Sequence, residues 1–69
     1  MFDYRLKVFD TVARRLSFTK AADELYITQP AVTKHIKHLE NHFKQSLFER
    51  KGNTVSLTTA GQLLLKHTE

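Results

Sequence analysis

The sequence predicts a small, mainly α-helical domain: a three-helix core, a short two-stranded hairpin and the start of a fourth helix. Three observations carry that expectation. Apolar residues recur at alternating steps of three and four over two long stretches, the spacing of one face of an α-helix. Hydroxyl residues stand just before each helix after the first, where they can cap exposed N–H groups. Late in the chain the pattern switches to strand-like alternation beside a polar tip that contains Gly52 and Asn53. A chain of 69 residues allows one domain. At this size only about 60% of the unfolded surface is buried, so the core has little margin. The chain has no cysteine, so neither a disulfide nor a thiolate metal site can staple it. It must be tightly helical, or oligomeric, or part of something larger.

In order along the chain, Phe2, Leu6, Phe9, Ala13 and Leu16 mark one face of a first helix, roughly residues 3–16. Asp3 in its first turn and Arg14 and Arg15 in its last match the helix dipole. Ser17 reads as the N-cap of a short second helix whose buried side is Phe18, Ala21, Ala22 and Leu25. Two adjacent alanines allow another helix to approach closely. At Tyr26-Ile27-Thr28 the pattern breaks; Ile27 can turn inward, and Thr28 can cap the next helix. Pro30 falls in a first turn, where its missing N–H removes no helical bond. Val32, Ile36, Leu39 and Phe43 then give the core side of a third helix, about residues 29–43. At 100° per residue they lie within about 60°, and Pro30, Lys34, Lys37 and Asn41 fall near the opposite side. Leu47-Phe48 begins an extended segment, 50–54 reads as a hairpin tip, and Val55-Ser56-Leu57 returns as a strand. Gly52 and Asn53 both tolerate positive φ at that tip. Thr58 can cap a fourth helix from about Thr59. The order is that of a winged helix-turn-helix.

Charge narrows the function. Eleven Lys+Arg against seven Asp+Glu give +4 and a pI near 9.7. Residues 1–33 carry net +1 and residues 34–69 net +3, so the excess sits in the half that holds the exposed side of the third helix. Such a face suits a polyanion, or else is an ordinary solvated surface. No apolar run approaches the ~18 residues of a membrane span. Phe2 is followed by Asp3, Arg5 and Lys7, unlike a signal peptide, so the expected compartment is the cytoplasm. No catalytic constellation is visible: there is no Gly-rich phosphate loop, His-Glu-x-x-His motif or cysteine nucleophile. Asp23 and Glu24 diverge by 100° on a helix rather than converging on a substrate. The chain is therefore expected not to be an enzyme.

Ser17-Phe18-Thr19-Lys20-Ala21-Ala22, Leu25, Thr28-Gln29-Pro30-Ala31-Val32-Thr33-Lys34, Ile36, Leu39-Glu40, Leu47-Phe48-Glu49-Arg50, Leu57-Thr58 and Ala60-Gly61 together resemble the N-terminal DNA-binding domain of LysR-type bacterial transcriptional regulators. The resemblance covers nearly the whole chain without gaps. It implies a winged helix-turn-helix over residues 1–58 and the start of a linker and dimerisation helix over 59–69. It implies further that the chain is a fragment of a protein of about 300 residues, whose effector-binding domain is not in this sequence. No cofactor is expected in the present domain; a small-molecule effector is expected only in that C-terminal domain. Two positions depart from the usual pattern. Lys44 stands where the family usually has Gly: either it is left-handed, at a cost of about 1 kcal/mol relative to Gly, or the helix runs further. Tyr26 stands where helix-turn-helix turns favour Gly.

Roles follow from chemistry in that context. Gln29, at the end of the third helix that enters the major groove in this motif, can donate and accept at once, which suits adenine N6/N7. Pro30 and Ala31 can touch a thymine methyl, although a purely structural first-turn role suits Pro30 equally. Thr33 and Lys34 are the next outward pair. Lys34 can reach guanine O6/N7 or a phosphate, and lacks the bidentate fork of the Arg often found there in the family. Lys37 suits phosphate. Ser17, Phe18 and Thr19 bring a helix N-terminus, and Thr28 a second capping hydroxyl, to the expected backbone contacts. The hairpin, about residues 48–57, offers Arg50, Lys51 and Asn53 to flanking phosphates or a minor groove. His35, His38 and His42 span about 60° of the third helix. They make either a metal face or a pH-sensitive patch; the latter predicts tighter DNA binding between about pH 7.5 and 6. In the fourth helix, Ala60, Leu63 and Leu64 lie on one side and Leu65 on another, enough to cover a core and meet a partner. By resemblance, linker helices pair two subunits on double-stranded DNA carrying an interrupted palindrome, with recognition helices about 34 Å apart. The present chain is expected to be monomeric or weakly dimeric. The rival expectation, a protein-interaction module on the same fold, would place apolar anchors on the exposed third-helix face, where this sequence has lysines.

Overall fold

The computed structural model describes residues 3–68; Phe2 and the side chain of Asp3, expected in the first helical turn, lie outside what is described. The order is α1 (Asp3–Arg15), α2 (Phe18–Leu25), α3 (Gln29–Phe43), β1 (Phe48–Lys51), β2 (Thr54–Leu57) and α4 (Thr59–Thr68). This is a helix-turn-helix packed on α1, followed by a two-stranded wing and a fourth helix that returns to α1 and β2.

The helix starts follow the capping residues. The Ser17 hydroxyl accepts from Lys20 N–H at 3.1 Å, Thr28 from Ala31 N–H at 3.2 Å and Thr58 from Gly61 N–H at 3.0 Å. Each satisfies an N–H that a helix otherwise leaves open. The helix ends have a different logic. Leu16, Tyr26 and Lys44 all take the left-handed conformation, with φ of 51°, 58° and 56°. Tyr26 closes α2 with a paired motif: its own N–H reaches Asp23 O, and Ile27 N–H reaches Ala22 O at 3.1 Å. At Lys44 the helix stops too, with Gln45 N–H donating to Glu40 O. The left-handed alternative therefore holds at Lys44. Each of these side chains carries a steric cost of about 1 kcal/mol that glycine would not.

The core is wider than the expected stripe. Val8, Phe9, Val12, Ala21, Val32 and Leu39 are fully buried, with Ile36 and Leu47 nearly so. Val8 and Val12 extend the buried arc of α1 because α2, α3 and α4 all pack against it. Two expected core residues are corrected. Leu16 is 47% exposed because the left-handed turn at that residue swings it off the helix face. Phe43, in the last turn of α3, is 42% exposed. Phe43 and the exposed Leu63 instead line an apolar groove with Leu47, Ala60 and Leu64, whereas Leu64 and Leu65 pack against the core. Ala60, Leu63 and Leu64 thus share one side of α4, as expected, and Leu65 does not line that groove.

Leu47 joins α3, the wing and α4. Its N–H donates to the Glu40 carboxylate at 2.8 Å, its carbonyl accepts from Thr58 N–H at 3.1 Å, and its side chain is buried. Gly61 lies against that carbonyl. A Cβ there would overlap Leu47 O and come within 2.8 Å of Leu57 Cδ2. This glycine is needed for close approach of α4, since a helical position has no need of its conformational freedom.

In the wing, β1 and β2 pair antiparallel with Phe48 opposite Leu57, Arg50 opposite Val55 and Lys51 opposite Thr54. Gly52 has φ of 57° and Asn53 does not share that sign, the pattern of a hairpin turn with glycine first. Positive φ, expected as tolerable at both tip residues, is used at one.

Candidate nucleic-acid interface

One face of α3 is bare of core contacts. Gln29, Pro30, Thr33, Lys34, Lys37, His38 and Asn41 line a single shallow, open surface along it. The core residues Val32, Ile36 and Leu39 occupy the other side. Of the expected base-contact set, Gln29, Pro30 and Lys34 are exposed, while Ala31 and Thr33 are half-buried. Ala31 is absent from the residues lining this surface. Lys37 lies on the same surface, with His38 and Asn41 completing it. The sequence groups His38 with His35 and His42; the structure places it on this face beside Lys37.

A second concavity adjoins the first turn of α3. Ser17, Phe18 and Thr19 from α2 and its cap, Gln29 from α3, and Arg50, Gly52 and Asn53 from the wing line it. Gln29 belongs to both surfaces, and its Oε1 accepts from the Thr19 hydroxyl at 3.3 Å. That bond ties the first residue of α3 to the first turn of α2 and leaves the amide NH₂ free to donate. Thr28 is exposed at the cap of α3. Lys51 and Asn53 are exposed at the wing tip. Lys51 does not line this concavity, because strand alternation sends it to the opposite face of β1 from Arg50.

Phe18 lies on the buried side of α2, as its place in the apolar pattern predicts. Its ring is 7% exposed and belongs to the core, edge-on to Phe48 with centroids 5.7 Å apart. Only its backbone, at the N-terminus of α2, remains near the surface. Arg50 lies over the face of the ring, with its guanidinium carbon 3.8 Å from the centroid.

The basic groups of this region are not neutralised by the protein. Among the described residues, Lys34, Lys37, Arg50 and Lys51 have no carboxylate partner. The three histidines of α3 part company. His35 turns to α1, edge-on to Tyr4 at 5.3 Å, and its Nδ1 is buried without a hydrogen-bond partner. Burial there, together with the positive charge of Arg5, Lys34 and His38, lowers its pKa from the usual value. His42 stacks edge-on with Phe43 at 4.9 Å. His38 alone reaches the presented face. The described residues contain no group of three His, Cys, Asp or Glu side chains that could hold a metal ion. Exposed apolar side chains do occur, at Tyr26, Phe43 and Leu63, but none lines this face.

Comparison with known proteins agrees with this arrangement. The chain is 50% identical over 58 residues to the RuBisCO operon transcriptional regulator of Allochromatium vinosum, which covers 84% of this chain and 19% of that protein. The chain thus spans about a fifth of the length of the curated relatives it matches. A crystal structure of a transcriptional regulator of the LysR family from Eggerthella lenta superposes with a TM-score of 0.93 at 46% identity, covering 99% of this chain and 97% of that one. The crystal structure of the CbnR_DBD–DNA complex superposes with a TM-score of 0.91 at 33% identity, over 97% of this chain and 77% of that one. The family described as "Bacterial regulatory helix-turn-helix protein, lysR family" matches residues 4–62. The chain belongs to the LysR family of bacterial regulatory helix-turn-helix proteins.

Proposed function

We propose that this chain is the sequence-specific, double-stranded DNA-binding domain of a LysR-type transcriptional regulator. The observation that carries the reading is the bare α3 face: a line of hydrogen-bonding and cationic side chains from Gln29 to Asn41, free of carboxylate partners at Lys34 and Lys37. An α-helix of this width fits a major groove. The likeness to CbnR_DBD, solved in complex with DNA, supports the same use of the fold here. In this reading Gln29, Pro30, Thr33 and Lys34 read base edges, with Ala31 behind them as a small spacer. Ser17, Thr19, Thr28, Lys37, Arg50, Lys51 and Asn53 hold flanking phosphates or reach the minor groove, and the α2 N-terminus at Phe18 offers backbone N–H groups.

Residues 1–58 form the binding unit, and 59–69 begin a linker helix through which two copies pair in the whole regulator. The DNA site is then an interrupted palindrome. The regulator acts in the bacterial cytoplasm, on DNA and without chemistry of its own, and any small-molecule effector is held by a separate domain. No described helix is long and apolar enough to cross a membrane.

Selection from a random duplex pool at near-physiological salt, followed by sequencing, tests the reading. Enrichment of a half-site or an interrupted palindrome is expected. Binding without enrichment that vanishes as salt rises would leave only a basic surface.

A further inference from the structure

The wing carries a cation on its inner side. Phe48 and Arg50 are two residues apart on β1 and share a face, and their partners on β2 are Leu57 and Val55. Phe48, Val55 and Leu57 are packed into or against the core. Arg50 is the polar end of an otherwise apolar face. An arginine in that position must run its stem along apolar surface and deliver its head to water at the edge. Here the head is caught on the way out. Phe9 contacts Phe48 at 5.4 Å, Phe48 contacts Phe18 at 5.7 Å, and the Arg50 guanidinium lies over the Phe18 ring at 3.8 Å. Three rings thus link the centre of the core to one charged group. That group lies on the concavity where Ser17, Thr19, Gln29 and Asn53 converge. It has no carboxylate partner among the described residues.

We propose that Phe18 is a positioning residue for DNA: its ring holds the Arg50 guanidinium at the junction of α2, α3 and the wing, ready for a phosphate beside Gln29. The proposal rests on the DNA-binding reading above. An unstacked arginine would have to give up side-chain freedom on meeting a phosphate, whereas a stacked one has already lost it. Stacking leaves the in-plane N–H donors of the guanidinium available, so ring and phosphate can be engaged together. The strand pair at Arg50 and Val55, rather than the tip at Lys51 and Gly52, is then the ordered part of the wing's contact. It also fixes the register between the wing and the first base-reading residue.

A double-mutant cycle on duplex affinity tests this, using the selected site and the variants Phe18→Leu, Arg50→Gln and the pair. Phe18→Leu should weaken binding about 2- to 5-fold with an unchanged salt slope, because the charge remains. Arg50→Gln should weaken it further and lower the slope by about 0.9. The double variant should match Arg50→Gln alone, and Phe18→Tyr, which keeps the ring face, should restore affinity. Additive losses would overturn the proposal. A second readout does not depend on the variants folding. In wild-type protein, NMR should show the Arg50 δ and ε protons shifted upfield by the ring current, both free and bound to DNA. Shifts absent in the free protein, or lost on binding, would overturn it as well. Wild-type protein with shifted Arg50 protons but no affinity for any duplex would remove the DNA reading itself, and the positioning role with it.

Discussion

The two sides of this domain treat their cations differently. On α1, Arg14 holds the Asp10 carboxylate at 2.9 Å and Arg15 holds Glu24 of α2 at 2.8 Å. Asp10 also accepts from Thr68 at 3.2 Å, tying α4 back to α1. On α3 and the wing, Lys34, Lys37, Arg50 and Lys51 meet no carboxylate among the described residues. On the α1 side, Arg15 joins α1 to α2 and Arg14 pairs within its own helix. On the α3 side the charge is left for something outside the protein. The packing shows the same division: α1 is buried over a wide arc, and α3 is buried on one side only. Substitutions on the first side should act through stability, and those on the second through binding.

The largest effect belongs to the scaffold. Phe9→Ala removes a fully buried ring and should cost about 3–5 kcal/mol, enough to unfold much of so small a domain. Gly61→Val should match it, because its Cβ would collide with Leu47 O and no flexible side chain can yield there. Thermal melts followed by circular dichroism read both. A domain that melts normally with either substitution would break the division, since it would mean that α4 and the α1 core are dispensable.

The next effect belongs to the presented face. Replacing Lys34 and Lys37 with Ala should leave the melting temperature within a few degrees of wild type. The salt slope of duplex binding should fall by about 0.9 for each residue that meets a phosphate. Fluorescence anisotropy from low to near-physiological salt measures it. A large loss of stability instead would show that these lysines belong to the scaffold.

A smaller effect sharpens the comparison at the helix ends. Lys44→Gly and Tyr26→Gly should each stabilise the domain by about 1 kcal/mol in urea unfolding, because both residues are left-handed. Tyr26 is 95% exposed, so little packing is lost with it.

The smallest effect is a pH dependence that comes from the scaffold side of α3. Burial first, then the charges of Arg5, Lys34 and His38, lower the folded-state pKa of His35. The unfolded imidazole titrates near 6.5. The stability that neutral His35 contributes is present above that value and is lost as pH falls through the lowered folded pKa. Acidification should therefore destabilise wild type more than a His35→Gln variant in parallel urea titrations. An identical pH response in the two would remove His35 from the account.

Much of this division was legible in the sequence, because local chemistry dictates it. The caps at Ser17, Thr28 and Thr58 and the proline at position 30 set helix starts to the residue. The core stripe of α3 left its opposite face defined by default. What was not legible came from tertiary context. Leu16 and Phe43 fit the helical period and are exposed, because each lies at a helix end where the chain turns away. Val8 and Val12 fit a second stripe that only the packing of α2, α3 and α4 on α1 makes into core. Glu40 looks like a surface carboxylate, yet it holds the Leu47 N–H. The histidines at 35, 38 and 42 share about 60° of arc, but α1 lies over one edge of it and takes His35 out of the set. Arg50 reads as part of the wing tip; strand register puts it in β1, one pair before the closing pair Lys51–Thr54, on the ring of Phe18.

The central claim is that the α3 face reads bases while its neighbours hold backbone. The most direct measurement compares Gln29→Ala with Lys37→Ala against every single-base variant of the selected half-site. The account predicts that Gln29→Ala flattens preference at one position, by about 1–3 kcal/mol, and that Lys37→Ala weakens all duplexes alike. Uniform weakening by both substitutions would contradict it.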